Sequence, residues 1–231
     1  MLFRSDYVKT EMGKADELKG PQKGSVGFAL TSLQRRLASS PEAIYQSLRR
    51  RRERLADRLR EEKLGKRGRQ ALAAVVAEVP EDDDDLDANE QETLEEKLID
   101  DATAAQSIAE LEAEITILTD LEAQAKAVRD SGKDRKWDEL SKLLQNTPEM
   151  HDADGRQRKI IIFTEHRDTL NYLVQRLGGM GYTGQIAQIH GGMYYTERQQ
   201  QVERFRKPHE GGGARFMLCT DAAAEGINLQ F

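Results

Sequence analysis

Three short apolar runs, "RKIIIFT" at 158–164, "GQIAQIH" at 184–190 and "ARFMLCT" at 214–220, limit what this chain can fold into more than any other feature. Each has the length and the β-branched or aromatic content of a strand. The segments between them read as helices. "HRDTLNYLVQRLGG" sets Leu170, Leu173, Val174 and Leu177 on one side, and "MYYTERQQQVERFRK" supplies the next connection. Strand, helix, strand, helix, strand is the pattern of a parallel sheet, because parallel neighbours need a long crossover of one hand. Residues 155–231 are therefore expected to form an α/β lobe with at least three parallel strands and all βα junctions on one edge.

Upstream the period changes to that of helices. Ser40-Pro41 puts a capping serine before a first-turn proline, and Ile44, Leu48, Leu55 and Leu59 follow on one face. Leu94, Leu98, Ala102, Ala105, Ile108, Leu111, Ile115, Leu118, Ala125 and Val128 continue at spacings of three and four as one amphipathic stretch. Gly132 reads as a stop, and "DRKWDELSKLLQ" opens a further helix with Trp137, Leu140, Leu143 and Leu144 as its apolar face. Residues 28–150 are expected to form a helical hairpin or small bundle, with an acidic linker at about 78–92. Residues 1–27 contain "GKADELKGPQKGSVG" and read as a connector with little capacity to bury surface.

Charge is segregated within this helical part. Residues 35–69 carry 13 Lys or Arg against 5 Asp or Glu, while residues 78–101 carry 1 against 13. A basic block of that kind attracts a polyanion, lies against the acidic block as its neutralising partner, or does both at once. With charged residues at 33% and aromatics at 6%, much of the chain is solvated helix. The lone cysteine, Cys219, excludes an internal disulfide and suits a reducing compartment. No apolar run approaches a membrane span and the first residues lack a signal core, so a soluble cytoplasmic chain with no membrane partner is expected.

Several nucleotide and metal motifs are excluded. "GMGYTG" at 179–184 matches G-x-G-x-x-G, but it ends a helix and opens a strand, the reverse of a dinucleotide loop. Gly178, Gly179 and Gly181 are expected to supply left-handed cap and turn conformations. Gly13-Lys14, Gly65-Lys66 and Gly132-Lys133 are followed by Ala, Arg and Asp, so no phosphate-cradling G-x-x-x-x-G-K-[ST] loop is present. Asp16-Glu17 and Asp138-Glu139 fall in a connector and a helix, away from any strand. Four scattered histidines and one cysteine give no metal site.

The ends of the three strands remain. "IIIFTEHRD", "IHGGM" and "CTDAAAEGIN" converge on one edge with short hydroxyls, paired glycines and an arginine, the groups that hold phosphates. None of them activates a nucleophile. Each also has a structural reading: Thr164 caps the next helix, Gly191-Gly192 is a turn, His190 packs at a strand end, Arg198 makes an internal ion pair, and Phe205 is core.

"KIIIFTEHRDTLNYL", "IHGGMYYTERQQQVERF" and "FMLCTDAAAEGINLQ" resemble the second RecA-like lobe of superfamily 2 helicases, specifically Snf2-like ATPases of the bacterial RapA type. "LQRRLASSPEAIYQSL" resembles the connector before that lobe in RapA-like and DrmD proteins, and the helical middle resembles insertions there. The resemblance implies an incomplete RecA-like lobe, preceded by a helical insertion, from an ATP-dependent DNA translocase. Thr164, Gly191, Gly192, Met193 and Thr220 match positions that touch the nucleic-acid backbone, and His166 and Arg167 lie near that track. Glu225, Gly226 and Asn228 match positions beside the nucleotide at the lobe interface. The implied partners are the backbone of double-stranded DNA or RNA and a first RecA-like lobe, with a protein partner possible for the insertion. ATP and Mg2+ belong to the parent enzyme, and neither is expected to bind tightly here. Without the lysine loop, metal carboxylates or arginine finger, the chain alone is expected not to hydrolyse ATP. The alternative is a non-enzymatic interaction module, or a nucleic-acid-binding basic helix, on an α/β scaffold.

Overall fold

The computed structural model describes residues 6–65, 88–153, 155–156 and 158–221. They fall into two compact units, the first ending at Gly132 and the second running from Lys133 onward, with residues 88–92 grouped in the second.

The first unit is helical: α1 (Asp6–Glu17), α2 (Pro21–Ser39), α3 (Pro41–Gly65), α4 (Ala88–Asp101) from Thr93 onward, and α5 (Ile108–Asp130). α3 starts as its sequence dictates, with Ser40 Oγ accepting from the Ala43 amide at 3.1 Å ahead of Pro41. Ile44, Leu48 and Leu55 enter the core and Leu59 packs against it.

Two expectations are corrected here. The connector expected over residues 1–27 is helical from Asp6, and Tyr7, Ala15, Leu18 and Val26 join the core. Gly20, at φ 70°, and Pro21 form a stop-and-start joint between two helices rather than a linker. The long amphipathic stretch from Leu94 is two helices separated at 102–107, with Leu94 and Val128 exposed. Ser107 starts the second by accepting from the Glu110 amide at 3.2 Å, a capping signal that apolar spacing alone conceals.

The basic helix is neutralised from within. Arg50 faces Glu96 at 3.5 Å and Asp100 at 3.9 Å, Arg52 pairs with Glu122, Arg54 with Asp101, and Lys63 with Glu112 at 2.5 Å. Among the described residues the neutralising partnership holds in part: Arg50 and Arg54 meet acids of the acidic block, while Arg52 and Lys63 pair with acids of α5. The acidic run at 78–87 lies outside the described residues.

Burial pushes the Asp100 carboxyl up to about 6, against the pull of Arg50 and Arg36. The folded state therefore keeps a proton that the unfolded chain releases near 3.8. Folded chains bind more protons between those values, so this group's contribution to stability falls as pH rises through that window. The far-UV thermal midpoint is expected to drop from pH 5 to pH 7, and Asp100→Asn to flatten the drop. An unchanged slope in the variant would remove Asp100 as its source.

The second unit opens with α6 (Arg135–Asn146), capped by Asp134, whose Oδ1 accepts from the Lys136 and Trp137 amides at 2.9 and 3.2 Å. A sheet follows: β1 (Ile160–Thr164), α7 (Arg167–Leu177), β2 (Ile186–Ile189), α8 (Tyr195–Arg206) and β3 (Phe216–Thr220). All pairings are parallel and the order is β1-β3-β2. Because the chain steps past the β3 position and then returns, α7 and α8 must cover opposite faces. Trp137 and Leu144 of α6 join Leu170, Leu173 and Leu177 of α7 over one face, and Val202 and Phe205 of α8 cover the other. The fold is thus mostly helical with a small parallel sheet, as expected for a RecA-like α/β lobe. α6 sits in this unit, so the structural joint is at 132–133 rather than near 150.

The G-x-G-x-x-G stretch is a wide helical turn over Gly178–Tyr182, with Gly181 at φ 94° and Gly184 at φ 84° in left-handed conformations. Gly178 keeps ordinary helical angles and Gly179 is not left-handed, contrary to their expected role.

β3 is buried along its whole length, as a central parallel strand should be. Cys219 lies in it at 0% exposure, and burial pushes its thiol up to about 11. At pH 8 the folded chain is expected to resist iodoacetamide while denatured chain is alkylated fully, as read by mass. Rapid alkylation under native conditions would show that β3 opens readily.

Candidate nucleic-acid interface

Parallel pairing brings the strand ends together. Thr164 closes β1 directly opposite Thr220 at the end of β3, and Ile189 of β2 lies opposite Cys219. The residues after each strand therefore line one edge.

Over β2 the chain turns tightly, with the Met193 amide donating to the His190 carbonyl at 3.1 Å. Arg198 of α8 holds this turn, its Nη2 donating to the Gly191 carbonyl at 2.9 Å and its Nε to the Met193 carbonyl at 3.0 Å. The internal ion pair expected for Arg198 is replaced by a clamp on backbone oxygens. The Gly191-Gly192 pair does form a turn, and Phe205 is core at 2% exposure. The amide of Tyr194 donates to the Glu197 carboxylate at 2.9 Å, which fixes where α8 begins.

Burial separates the candidate residues. Thr164, His166, Gly191 and Thr220 are buried; Arg167 and Gly192 are exposed and Met193 is half-buried. α7 starts at Arg167 with His166 in the capping position, so Thr164 is not its cap. His166, at 4% exposure, keeps its ring inside rather than on the track expected for it. Arg167 stands at the first position of α7 on the exposed rim. The Thr220 hydroxyl is buried and finds no hydrogen-bond partner among the described residues. His190 is held below its ordinary range by burial and by Arg167 and Arg198, which fits a neutral ring at a strand end. Glu225, Gly226 and Asn228 lie outside the described residues.

Sequence reasoning passed over Tyr194 and Tyr195, which stand 80% and 74% exposed beside the clamped turn. The doubled tyrosine after paired glycines was the available signal. No group of three or more His, Cys, Asp or Glu that could hold a metal ion is found among the described residues.

Residues 135–231 match the family of the helicase conserved C-terminal domain. That match begins at the first residue of α6. The pre-mRNA-processing ATP-dependent RNA helicase PRP5 of Candida glabrata is 28% identical over 99 residues, which is 43% of this chain and 11% of that protein. The chain thus spans about a tenth of that relative's length. No solved structure matches the chain. Both similarities are to helicases, and the family match lies within the second unit.

Proposed function

We propose that the second unit grips a nucleic-acid backbone within an ATP-dependent translocase, of the Snf2-like kind that acts on double-stranded DNA. The observation that carries this reading is the strand-end edge: Thr164 beside Thr220, a buried Thr220 hydroxyl with no hydrogen-bond partner among the described residues, and a clamped turn next to them. A hydroxyl and backbone amides hold phosphate oxygens without reading bases. Binding of that kind weakens steeply with salt and ignores sequence. ATP and Mg2+ are assigned to the parent enzyme, and neither is proposed to bind this chain tightly. No step of the reading passes through them, and the chain alone is proposed not to hydrolyse ATP. The relative's name gives RNA standing as an alternative strand.

The helical unit is proposed to serve a protein partner rather than DNA, since the paired arginines of α3 are already neutralised. The test is fluorescence anisotropy of labelled duplex DNA, and of RNA of the same length, across salt concentrations and with an unrelated sequence. Salt-sensitive binding without sequence preference is expected, weakened about tenfold by Thr220→Ala, as loss of one hydrogen bond to a charged group predicts. Arg50→Glu with a retained far-UV spectrum is expected to leave it unchanged. Absence of salt-sensitive binding to either probe would end the reading.

A further inference from the structure

We infer that Tyr194 and Tyr195 form a stacking platform for unpaired bases, so that this edge takes a strand whose bases are accessible where a duplex opens. The inference rests on the backbone-gripping reading and adds what lies beside the backbone.

Large aromatic side chains are normally drawn inward, and a tyrosine that stays in water contributes little to folding. Here two successive tyrosines stand 80% and 74% exposed, while the next aromatic of the same helix, Phe205, is buried at 2%. Their backbone is held nonetheless. Tyr194 is in extended conformation at φ −66°, ψ 154°, and its amide is bound by Glu197 at 2.9 Å. The residue before it, Met193, is bound through its carbonyl by Arg198 and through its amide by His190. Tyr195 is the first residue of α8. One ring therefore leaves an extended residue and the other a helical one, from a turn whose ends are tied. The backbone that carries both rings is therefore ordered before a flat partner arrives, which leaves only side-chain torsions to be fixed.

Position and charge select that partner. The tyrosines follow directly on Gly191, Gly192 and Met193, at the edge where Thr164 and Thr220 meet. The exposed Arg167 stands on the same edge as a cation for phosphate. A strand following that edge would present bases to the rings, and stacking tolerates any base because every base has a flat face. Bases inside an intact duplex are already stacked on each other, so the platform selects unpaired ones.

The test uses the full chain with three fluorescein-labelled probes: oligothymidine, an abasic strand of the same length, and duplex DNA. Tyr194→Ala and Tyr195→Ala are each expected to weaken oligothymidine binding about tenfold, within the range for one lost aromatic stack. Tyr194→Phe and Tyr195→Phe should bind as the parent does, and the abasic strand should not discriminate among the variants. Equal oligothymidine affinity in parent and alanine variants would overturn the platform while leaving backbone binding intact. Equal losses on oligothymidine and abasic strand would also overturn it, assigning the rings to turn stability. If the alanine variants change only sedimentation, the pair is a protein contact and the inference fails. If the parent binds none of the probes at low salt, the backbone-gripping reading has failed first.

Discussion

Replacing Glu114 by alanine is expected to cost the helical unit about 3–5 kcal/mol, the range for breaking a buried ion pair by removing one partner. Glu114 and Arg51 are each 1% exposed and meet at 2.8 Å. Around that contact, Tyr7 of α1 donates to Glu114 at 3.0 Å, Thr103 of the turn after α4 donates to its other oxygen, and Arg51 also donates to the Ile99 carbonyl. Burial alone would lower the Arg51 pKa, but Tyr7 and Glu114 outweigh it and raise it, so the guanidinium stays charged. Without the carboxylate, a buried cation would lose its counterion and two hydroxyls their acceptor. A double replacement, Arg51→Met with Glu114→Leu, should recover the part of the loss that comes from the unpaired cation, since apolar groups of similar volume often replace a buried pair without net cost, but not the part from the Tyr7 and Thr103 hydroxyls. Urea unfolding followed by far-UV circular dichroism measures each variant. A cost below about 1 kcal/mol for Glu114→Ala would mean that water reaches the pair and that the network does not organise the unit.

That network also shows where sequence reasoning stops. The charge blocks were visible, and their neutralising partnership was one of the two readings they allowed. Nothing in the spacing of Tyr7, Arg51, Thr103 and Glu114 says that four residues so far apart meet. Glu114 sits between Leu111 and Leu118 on the buried side of α5, where a carboxylate survives only with partners from other helices. The first helix was missed for a related reason. Its buried residues, Tyr7, Glu11 and Ala15, are one aromatic, one acid and one small residue, so the apolar period is too thin to outweigh the glycines and lysines around it.

The sheet was legible because its signals are local. Each strand is a short apolar run, and the two connecting helices fix parallel pairing before any contact is known. The edge that carries the candidate site followed from topology alone. Which side chains on that edge meet solvent did not: the threonines and His166 turned inward, and two tyrosines outside the phosphate-holding motif turned out. Exposure at a strand end depends on how the following turn is tied, here by Arg198, and a single sequence does not display that bond.

Gly213→Ala is the second large effect, expected to destabilise the lobe by about 3 kcal/mol, at the upper end for overpacking a rigid site. The chain returns from α8 to β3 through "KPHEGGG", folding back so closely that the Gly211 and Gly213 amides both donate to the Pro208 carbonyl at 3.1 Å. A Cβ on Gly213 would press into the Lys207 carbonyl and lie 2.6 Å from the Pro208 oxygen, both backbone groups that no rotamer change can move aside. The neighbouring glycines provide the comparison. Gly212 has open space but φ +76°, so alanine there should cost about 1–2 kcal/mol of left-handed strain, while Gly211 has neither constraint and should tolerate alanine. Trp137, the one tryptophan, packs in the same cluster as Phe216 and Leu218, so its fluorescence in urea reports this unfolding directly. The expected order of midpoints is Gly211→Ala above Gly212→Ala above Gly213→Ala, and equal midpoints for the first and last would refute the close approach. Relief of the clash would shift Ala214, whose amide donates to the Arg204 carbonyl at 2.9 Å, and then Arg215 and Phe216, whose amides share the Gln185 carbonyl. Those bonds set the start of β3 against β2, the Ile160 amide donating to the Arg215 carbonyl at 3.0 Å sets it against β1, and the resulting register brings Thr220 opposite Thr164. A one-residue slip would turn every β3 side chain to the other face. The tight return at Gly213 thus fixes, from the far end of the strand, the pairing on which the candidate nucleic-acid edge depends.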